Sequence, residues 1–248
     1  MDQIAIIADL HGNLPALEAT LADIRQRDIQ TIYCLGDLVG KGPDSAKVVD
    51  LCRAVCRGVV KGNWDETMTE DATNRPVWRW HQAQLGPERL AYLRQLPNSI
   101  DFQLSGKHVR LFHASAESVF VRVGFWHEQA RLRGMFANTE FTGYTQPPPD
   151  IVGYGDIHHS FILPVDNKIL FNVGSVGNPL DYITLACYGI LKGTLDSQAP
   201  APFTLEIVRL PYDIEAAIQL ARAVAMPKLA EYEFELRTGN HRNHMRRE

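Results

Sequence analysis

Hydrophobic and polar residues alternate in blocks along the first 63 residues of the chain. Three short blocks are almost entirely apolar, as in strands covered on both faces: 4–8, 31–35 and 59–60. After the first block, a candidate N-cap, Asn13, and Pro15 introduce apolar residues at helical spacing: Leu14, Leu17, Leu21 and Ile24. A second helix is predicted over about residues 45–56. The pattern therefore predicts β-α-β-α-β, the beginning of an α/β sheet.

The remaining elements are predicted from shorter patterns. Residues 75–96 should be helical, with a new helix opening at Pro87, because proline is favoured in a first turn. Apolar runs on either side of short turn sequences predict two hairpins, near residues 102–112 and 162–171. Later patterns predict two strands and a helix: 185–192, 203–210 and 213–225.

An irregular, aromatic segment near residues 114–150 separates the two hairpins. Its length is typical of a lid or a binding insertion. We expect its arginines to be solvated charges and its aromatic residues to pack in its own core: Arg122, Arg131, Arg133, Phe120, Phe125, Trp126 and Tyr144. Since no repeat or linker interrupts the chain, we predict a single domain over residues 1–248 carrying this one insertion.

Composition excludes several classes of partner. Lys and Arg number 25 against 29 Asp and Glu, a net charge of −4, so no positive field favours a stable nucleic-acid partner. No apolar run approaches the roughly 18–20 residues of a membrane span, so no membrane partner is expected. The cysteines form no C-x-x-C pair and are expected to be buried thiols of a cytoplasmic protein: Cys34, Cys52, Cys56 and Cys187. We expect the basic tail to be a frayed, solvated end: Arg237, Arg242, Arg246 and Arg247.

Five short polar motifs follow predicted strands, in one order along the chain: Asp9-Leu10-His11, Gly36-Asp37, Gly62-Asn63, His113 and Gly155-Asp156-Ile157-His158. Each alone is a common turn or a structural histidine, but their joint occurrence at strand ends indicates one shared site. On an extended segment, Asp9 and His11 would point the same way. The set offers enough donors for two metal ions sharing a carboxylate, and such ions, about 3.5–4 Å apart, promote in-line displacement at phosphorus.

These motifs resemble those of the calcineurin-like metallophosphoesterase superfamily, particularly its compact bacterial and archaeal members. The likeness runs from Asp9-Leu10-His11-Gly12-Asn13 to Asn172-Val173-Gly174-Ser175-Val176-Gly177-Asn178-Pro179. It implies an α/β fold of αββα type, in which two mixed β-sheets are flanked by helices. It also implies a metal-dependent phosphoesterase, in which a hydroxide bound at a binuclear site hydrolyses a phosphodiester or phosphomonoester with no covalent intermediate.

The resemblance also implies a division of the metal ligands. Asp9, His11 and His158 would bind one ion, and Asp37 would bridge to the other. The second ion would be bound by Asn63, His113 and Asp156. The mixture of oxygen and imidazole suits two divalent transition metals, Mn first and otherwise Fe, Zn or Co.

We also predict catalytic roles for Asp37, Asn63 and Asp65, and substrate contacts for Asn63 and Trp64.

Two positions depart from the family's motifs. Trp64 stands where a histidine usually assists the leaving group, and an indole N–H transfers no useful proton. We therefore predict slow hydrolysis that favours good leaving groups, unless His81 or His127 substitutes. Asp156 stands where a histidine usually binds metal. We predict that Asp156 coordinates metal and makes the site less positive; otherwise it turns away and leaves the second site weak.

Several functions remain open at this stage. The leading prediction is a phosphoesterase acting on a small phosphorylated substrate, with no prediction of oligomeric state. A serine/threonine protein phosphatase or a dinucleoside polyphosphate hydrolase could use the same scaffold. The alternative of another class is a catalytically weak or inactive binding scaffold, like the retromer subunit of this fold, which the tryptophan at position 64 keeps open.

Overall fold

The structure is a computed structural model that describes residues 1–70 and 75–245. Its described residues form ten strands: β1 Asp2–Ile7, β2 Thr31–Cys34, β3 Gly58–Val59, β4 Ser99–Leu104, β5 Lys107–Phe112, β6 Ile151–Tyr154, β7 Ser160–Val165, β8 Lys168–Val173, β9 Ala186–Gly193 and β10 Thr204–Leu210. A first sheet has the order β10-β9-β1-β2-β3 and a second has the order β4-β5-β6-β8-β7. Both contain parallel and antiparallel pairs, so the predicted two mixed sheets are confirmed.

The described helices are α1 Leu14–Gln26, α2 Ser45–Val55, α3 Asn63–Met68, α4 Pro76–Arg94, α5 Gln129–Gly134, α6 Ile214–Ala223 and α7 Leu229–Thr238, followed by a 3-10 turn at Arg242–His244. Asn13 caps α1 by accepting the N–H of Ala16, as predicted. Helix α4 is broken at Gly86, where φ is 71°, and Pro87 opens its second part, also as predicted. None of these helices is long and apolar enough to cross a membrane.

Apolar side chains from both sheets meet in one central core. Ile4 and Ile6 of β1 pack there with Val109 and Leu111 of β5 and Phe171 of β8. The other face of the first sheet packs against α1, α2 and α4. The outer face of the second sheet is covered by the 114–150 insertion, which contributes α5. The layers therefore place the carboxyl ends of β1, β2, β5 and β6 near one another between the sheets.

Two expectations for the insertion and the tail were wrong. Four aromatic residues expected in the insertion's core are exposed: Phe120, Phe125, Trp126 and Tyr144. The basic tail is folded as far as the structure describes it, because Arg242 pairs with the buried Glu235 and Arg237 pairs with Glu215. Gly239 ends α7 with φ of 60°, and a Cβ there would lie 2.8 Å from the backbone nitrogen of Ile183. Arg246 and Arg247 lie outside the described residues.

The cysteines are free thiols, as expected. Cys34, Cys52 and Cys187 are buried, and Cys56 is half-buried.

Candidate metal centre

The predicted ligands converge from the carboxyl ends of several strands. Asp9 follows β1, Asp37 follows β2, and Asn63 opens α3 just after β3. From the second sheet, His113 follows β5 directly, and the 156–158 segment follows β6. Parallel pairing brings the side chains of each sheet to one edge, and the packing of the two sheets brings these edges together.

Most of the predicted ligands have left-handed backbone conformations. Five of the seven have positive φ values: Asp9 54°, His11 47°, Asp37 53°, Asp156 66° and His158 57°. Such values are uncommon for residues other than glycine and concentrate at functional sites. Asp9 and His11 therefore do not lie on an extended segment, and that expectation was wrong. Their side chains converge because the backbone turns after β1.

Backbone carbonyls orient the three imidazoles. Nδ1 of His11 lies 3.1 Å from the oxygen of Val39, and Nδ1 of His113 lies 2.7 Å from the oxygen of Leu35. Nδ1 of His158 likewise contacts the oxygen of Asn178. A carbonyl can only accept, so each Nδ1 donates and each neutral ring has its lone pair on Nε2. This outer hydrogen bond is typical of histidines that bind metal through Nε2.

The lone pairs then face other acceptors. Nε2 of His11 lies 3.2 Å from Nε2 of His158, and Nε2 of His113 lies 3.0 Å from Oδ1 of Asn63. Two acceptors brought this close repel each other unless a proton or a cation lies between them. Burial, followed by the charge of Lys41, lowers the pKa of His11 and of His158 well below the usual value, which disfavours a proton there. The donor set therefore fits divalent cations.

Asp37 lies between two groups of ligands. Its Oδ2 is 3.5 Å from Nε2 of His11, and its Oδ1 is 3.5 Å from Nε2 of His113. Ligand atoms of Asp9, His11 and His158 lie within 4.8 Å of one another, as do those of Asp9, Asp37 and His113. Asp37 thus has the geometry of a bridging carboxylate, while Asp9 also reaches both groups.

The carboxylates of the centre are deeply buried. Asp9 is fully buried and Asp37 is 2% exposed. Burial is the largest cause that raises the pKa of Asp9 to about 7, and the nearby Asp156 adds to the rise. Burial, then the charges of Asp9 and Asp65, also raise the pKa of Asp37 well above its usual value. Negative charge is therefore costly here unless cations accompany it.

Asp65, predicted to be catalytic, connects two of the ligand loops. Its carboxylate accepts the backbone N–H groups of Asp37 at 2.8 Å, Leu38 at 3.0 Å and Gly62 at 2.9 Å. The loops approach so closely that a Cβ on Gly62 would lie 2.2 Å from Oδ1 of Asp37. With its oxygens used in this way, Asp65 is a positioning residue for Asp37 and Asn63.

Trp64 packs beside the centre. Its ring meets His11 edge-on at 5.6 Å and stacks on Trp78 at 4.5 Å. His81 contacts the ring of Trp64 at 6.3 Å and is 1% exposed, and burial lowers its pKa to about 4. His127 bonds within its own loop, at Gly124. These contacts bring neither histidine into the ligand cluster as the replacement for the missing one.

Asp156 lies at the edge of the centre and pairs with Arg122, which we expected to be a solvated charge. Arg122 donates from Nε to Oδ2 of Asp156 at 2.9 Å and from Nη2 to Oδ1 at 2.8 Å. Oδ1 of Asp156 also lies 3.9 Å from Nε2 of His113. Arg122 therefore supplies positive charge beside the extra carboxylate, which counters the loss of positive charge expected from replacing a histidine with Asp156.

A second polar network, which we did not predict from the sequence, supports His158 on the Nδ1 side of its ring. Lys41 donates to Oδ1 of Asn178 at 2.5 Å, and Asn178 donates to the buried Glu235 at 3.2 Å. The backbone oxygen of Asn178 accepts the Nδ1 hydrogen of His158. The available signal was the spacing of Tyr232, Glu235 and Leu236, which share the buried face of α7. The network links that helix to the metal centre.

Comparisons with known proteins identify the family and agree with the fold. The calcineurin-like phosphoesterase superfamily domain matches residues 3–193. The uncharacterized protein MJ0912 of Methanocaldococcus jannaschii is 34% identical over 227 residues, covering 87% of this chain and 90% of that protein. Phosphodiesterase YfcE of Escherichia coli is 31% identical over 101 residues, covering 36% of this chain and 55% of that protein. A metallophosphoesterase structure from Sphaerobacter thermophilus has a TM-score of 0.72 and 25% identity, covering 96% of this chain and 99% of that one. The chain belongs to the calcineurin-like phosphoesterase superfamily.

Proposed function

We propose that this protein is a metal-dependent phosphoesterase that hydrolyses a small phosphodiester or phosphomonoester with no covalent enzyme intermediate. The observation that carries the proposal is the approach of His11 and His158, whose Nε2 lone pairs face each other 3.2 Å apart. Retention of these metal-binding imidazoles favours a metal-dependent enzyme over a scaffold that binds its partners without metal. The superfamily and the name of the phosphodiesterase relative point to the same reaction class.

The chain's own residues would hold two divalent ions. Asp9, His11 and His158 would bind one, Asn63, His113 and Asp156 the other, with Asp37 between them. The oxygen and imidazole donors favour Mn, with Fe, Zn or Co as alternatives. When bound, such ions activate water and stabilise charge on phosphoryl oxygens.

The protein side of the mechanism is mainly positioning. Asp65 holds the loops of Asp37 and Asn63 together, so both side chains keep fixed positions. Trp64 offers no transferable proton to a departing oxygen. Aryl phosphate esters and phosphoanhydrides should therefore be hydrolysed faster than alkyl phosphate esters, whose alkoxides are poorer leaving groups.

The test is hydrolysis of bis(4-nitrophenyl) phosphate by purified protein with added Mn, with metal content measured on the same sample. Turnover should require Mn and disappear in Asp37→Asn. Asp166→Asn is the matched control, because Asp166 is an exposed carboxylate paired with Arg133. It should behave as the wild type. Bound metal without turnover on this diester or on 4-nitrophenyl phosphate would overturn the proposal.

A binding scaffold is the second candidate. The specific observation in its favour is Trp64, which packs against His11 and Trp78 where a proton donor would be expected. Bound metal without turnover is the result that this alternative predicts.

A further inference from the structure

A cavity of about 340 Å³ adjoins the candidate metal centre. Ile157 and His159, which flank His158, line one of its walls. Arg122 also lines it while pairing with Asp156. The cavity therefore lies next to the predicted ligands Asp156 and His158. Its volume is within the roughly 300–1,000 Å³ of small-molecule sites.

Aromatic side chains at the cavity remain open to solvent. Trp126 is 56% exposed and Tyr182 is 67% exposed, and both line the cavity. Trp126 comes from the insertion, whereas Tyr182 comes from the loop before β9. Exposed rings of this size offer stacking surfaces for a planar group.

The polar groups of the cavity favour an anion. Arg122 uses Nε and Nη2 on Asp156, and no described residue accepts a hydrogen bond from its Nη1. The Arg122 side chain as a whole is 59% exposed. His241 accepts the N–H of Asn243 at Nδ1, so its neutral ring carries a hydrogen on Nε2. None of the described residues that line the cavity carries a carboxylate.

The folded tail builds part of this cavity. Asn240, His241 and His244 line it, and Nδ1 of His244 lies 2.7 Å from Oδ1 of Asn240. The segment is held by Arg242 on the buried Glu235 and by the hydrogen bond from the N–H of Tyr182 to the oxygen of Gly239 at 2.7 Å. The donors at the cavity are thus positioned by contacts to the buried Glu235 and to the backbone of Tyr182.

We propose that this cavity binds the heteroaromatic ester group of a nucleotide-type substrate, with Trp126 and Tyr182 against the ring and Nη1 of Arg122 on a phosphoryl oxygen. The inference rests on the proposed phosphoesterase function, for which it names a substrate class. It assigns Trp126, Tyr182 and the paired Arg122 to the binding of one substrate. Cleavage would then occur at the ester bond on the metal side of Arg122.

The test is calorimetric titration of AMP and of inorganic phosphate into the protein in EDTA, where no metal-dependent turnover takes place. AMP should bind at least about tenfold more tightly than phosphate. Tyr182→Asn should weaken AMP binding by about fivefold or more, the range expected for losing one stacking partner. Asparagine is chosen because φ at Tyr182 is 65°, a conformation that asparagine tolerates.

Matched controls exist for both kinds of residue. Tyr144 is 68% exposed and does not line the cavity, so Tyr144→Asn should leave AMP binding unchanged. Arg133 is 56% exposed and pairs with Asp166 through two nitrogens, much as Arg122 pairs with Asp156. Arg122→Gln should weaken the binding of both AMP and phosphate, whereas Arg133→Gln should weaken neither.

The outcomes separate the two proposals. Equal affinity for AMP and phosphate, or unchanged AMP binding in Tyr182→Asn, overturns the assignment of the cavity. If Mn-dependent hydrolysis of bis(4-nitrophenyl) phosphate persists alongside either result, the phosphoesterase proposal stands alone. Tight AMP binding that depends on Tyr182, without any hydrolysis, supports the cavity and overturns the phosphoesterase proposal.

Discussion

Removing the charge of Glu235 is expected to destabilise the protein strongly, although this residue lies far along the chain from the first predicted ligands. Its side chain is fully buried, and its oxygens accept hydrogen bonds from Nε and Nη2 of Arg242 at 2.6 and 2.7 Å. Nζ of Lys41 lies 3.9 Å away, and the Lys41 side chain is only 10% exposed. Glu235→Gln keeps the shape of the side chain and leaves both cations without their anion.

The magnitude follows from the pKa of Glu235. Burial acts to raise this pKa, but Lys41 and Arg242 outweigh burial and lower it from 4.5 to about 2. A difference of about 2.5 units corresponds to about 3 kcal/mol of stability. Breaking a buried ion pair by removing one partner costs about 3–5 kcal/mol, which agrees. We therefore expect Glu235→Gln to lower the free energy of unfolding by about 3 kcal/mol at pH 7.

The pKa of Glu235 also determines how its stabilising contribution changes with pH. A carboxyl whose pKa is lowered by folding stabilises the protein fully above its unfolded pKa of 4.5, and the contribution is lost as pH falls through about 2. The difference in unfolding free energy between wild type and Glu235→Gln should therefore fall to about half by pH 3.

The assay is urea unfolding in EDTA at pH 7 and pH 3. Glu233→Gln is the matched control on the same helix, since Glu233 pairs at the surface with Arg222 and Arg237. It should cost less than about 1 kcal/mol. Equal effects of the two substitutions at pH 7, or a difference that does not shrink at pH 3, would refute the reasoning.

Three further predictions concern the loops of the metal centre. Asp65→Asn should lower the free energy of unfolding by about 2 kcal/mol or more, because an amide N–H would face backbone donors that now bond the carboxylate; urea unfolding measures it. Gly62→Ala should reduce bound Mn per chain, measured by elemental analysis, because its Cβ would lie 2.2 Å from Oδ1 of Asp37; Gly134→Ala, whose Cβ meets nothing within 4 Å, should not. Trp64→His should raise the rate on alkyl phosphodiesters by about 10²-fold or more relative to wild type, with a smaller gain on 4-nitrophenyl esters; equal gains on both would contradict a missing proton donor.

Much of the fold could be predicted from local patterns. The β-α-β-α-β beginning, the break before Pro87 and both hairpins depend on neighbouring residues, and each appears in the structure. Within each sheet the predicted ligands also converge, because the carboxyl ends of parallel strands lie at one edge.

What could not be predicted depends on contacts between distant residues. Helix α7 has an irregular apolar pattern, and the charge that accompanies its buried Glu235 comes partly from Lys41, a residue distant in the chain. The sequence indicates that Arg122 is a surface charge, and only the fold places Asp156 beside it. The left-handed conformations of Asp9 and His11 cannot be predicted from the pattern of apolar and polar positions.

The link between α7 and Lys41 has a consequence for synthesis on the ribosome. Lys41 emerges early, but the helix carrying its buried carboxylate partner is made nearly two hundred residues later. We therefore expect Lys41 to stay exposed to water until α7 has left the exit tunnel, because its burial lacks the Glu235 carboxylate before then. The hydrogen bonds around Asn178 that support His158 should then be completed late in synthesis, by a helix that contributes none of the predicted metal ligands.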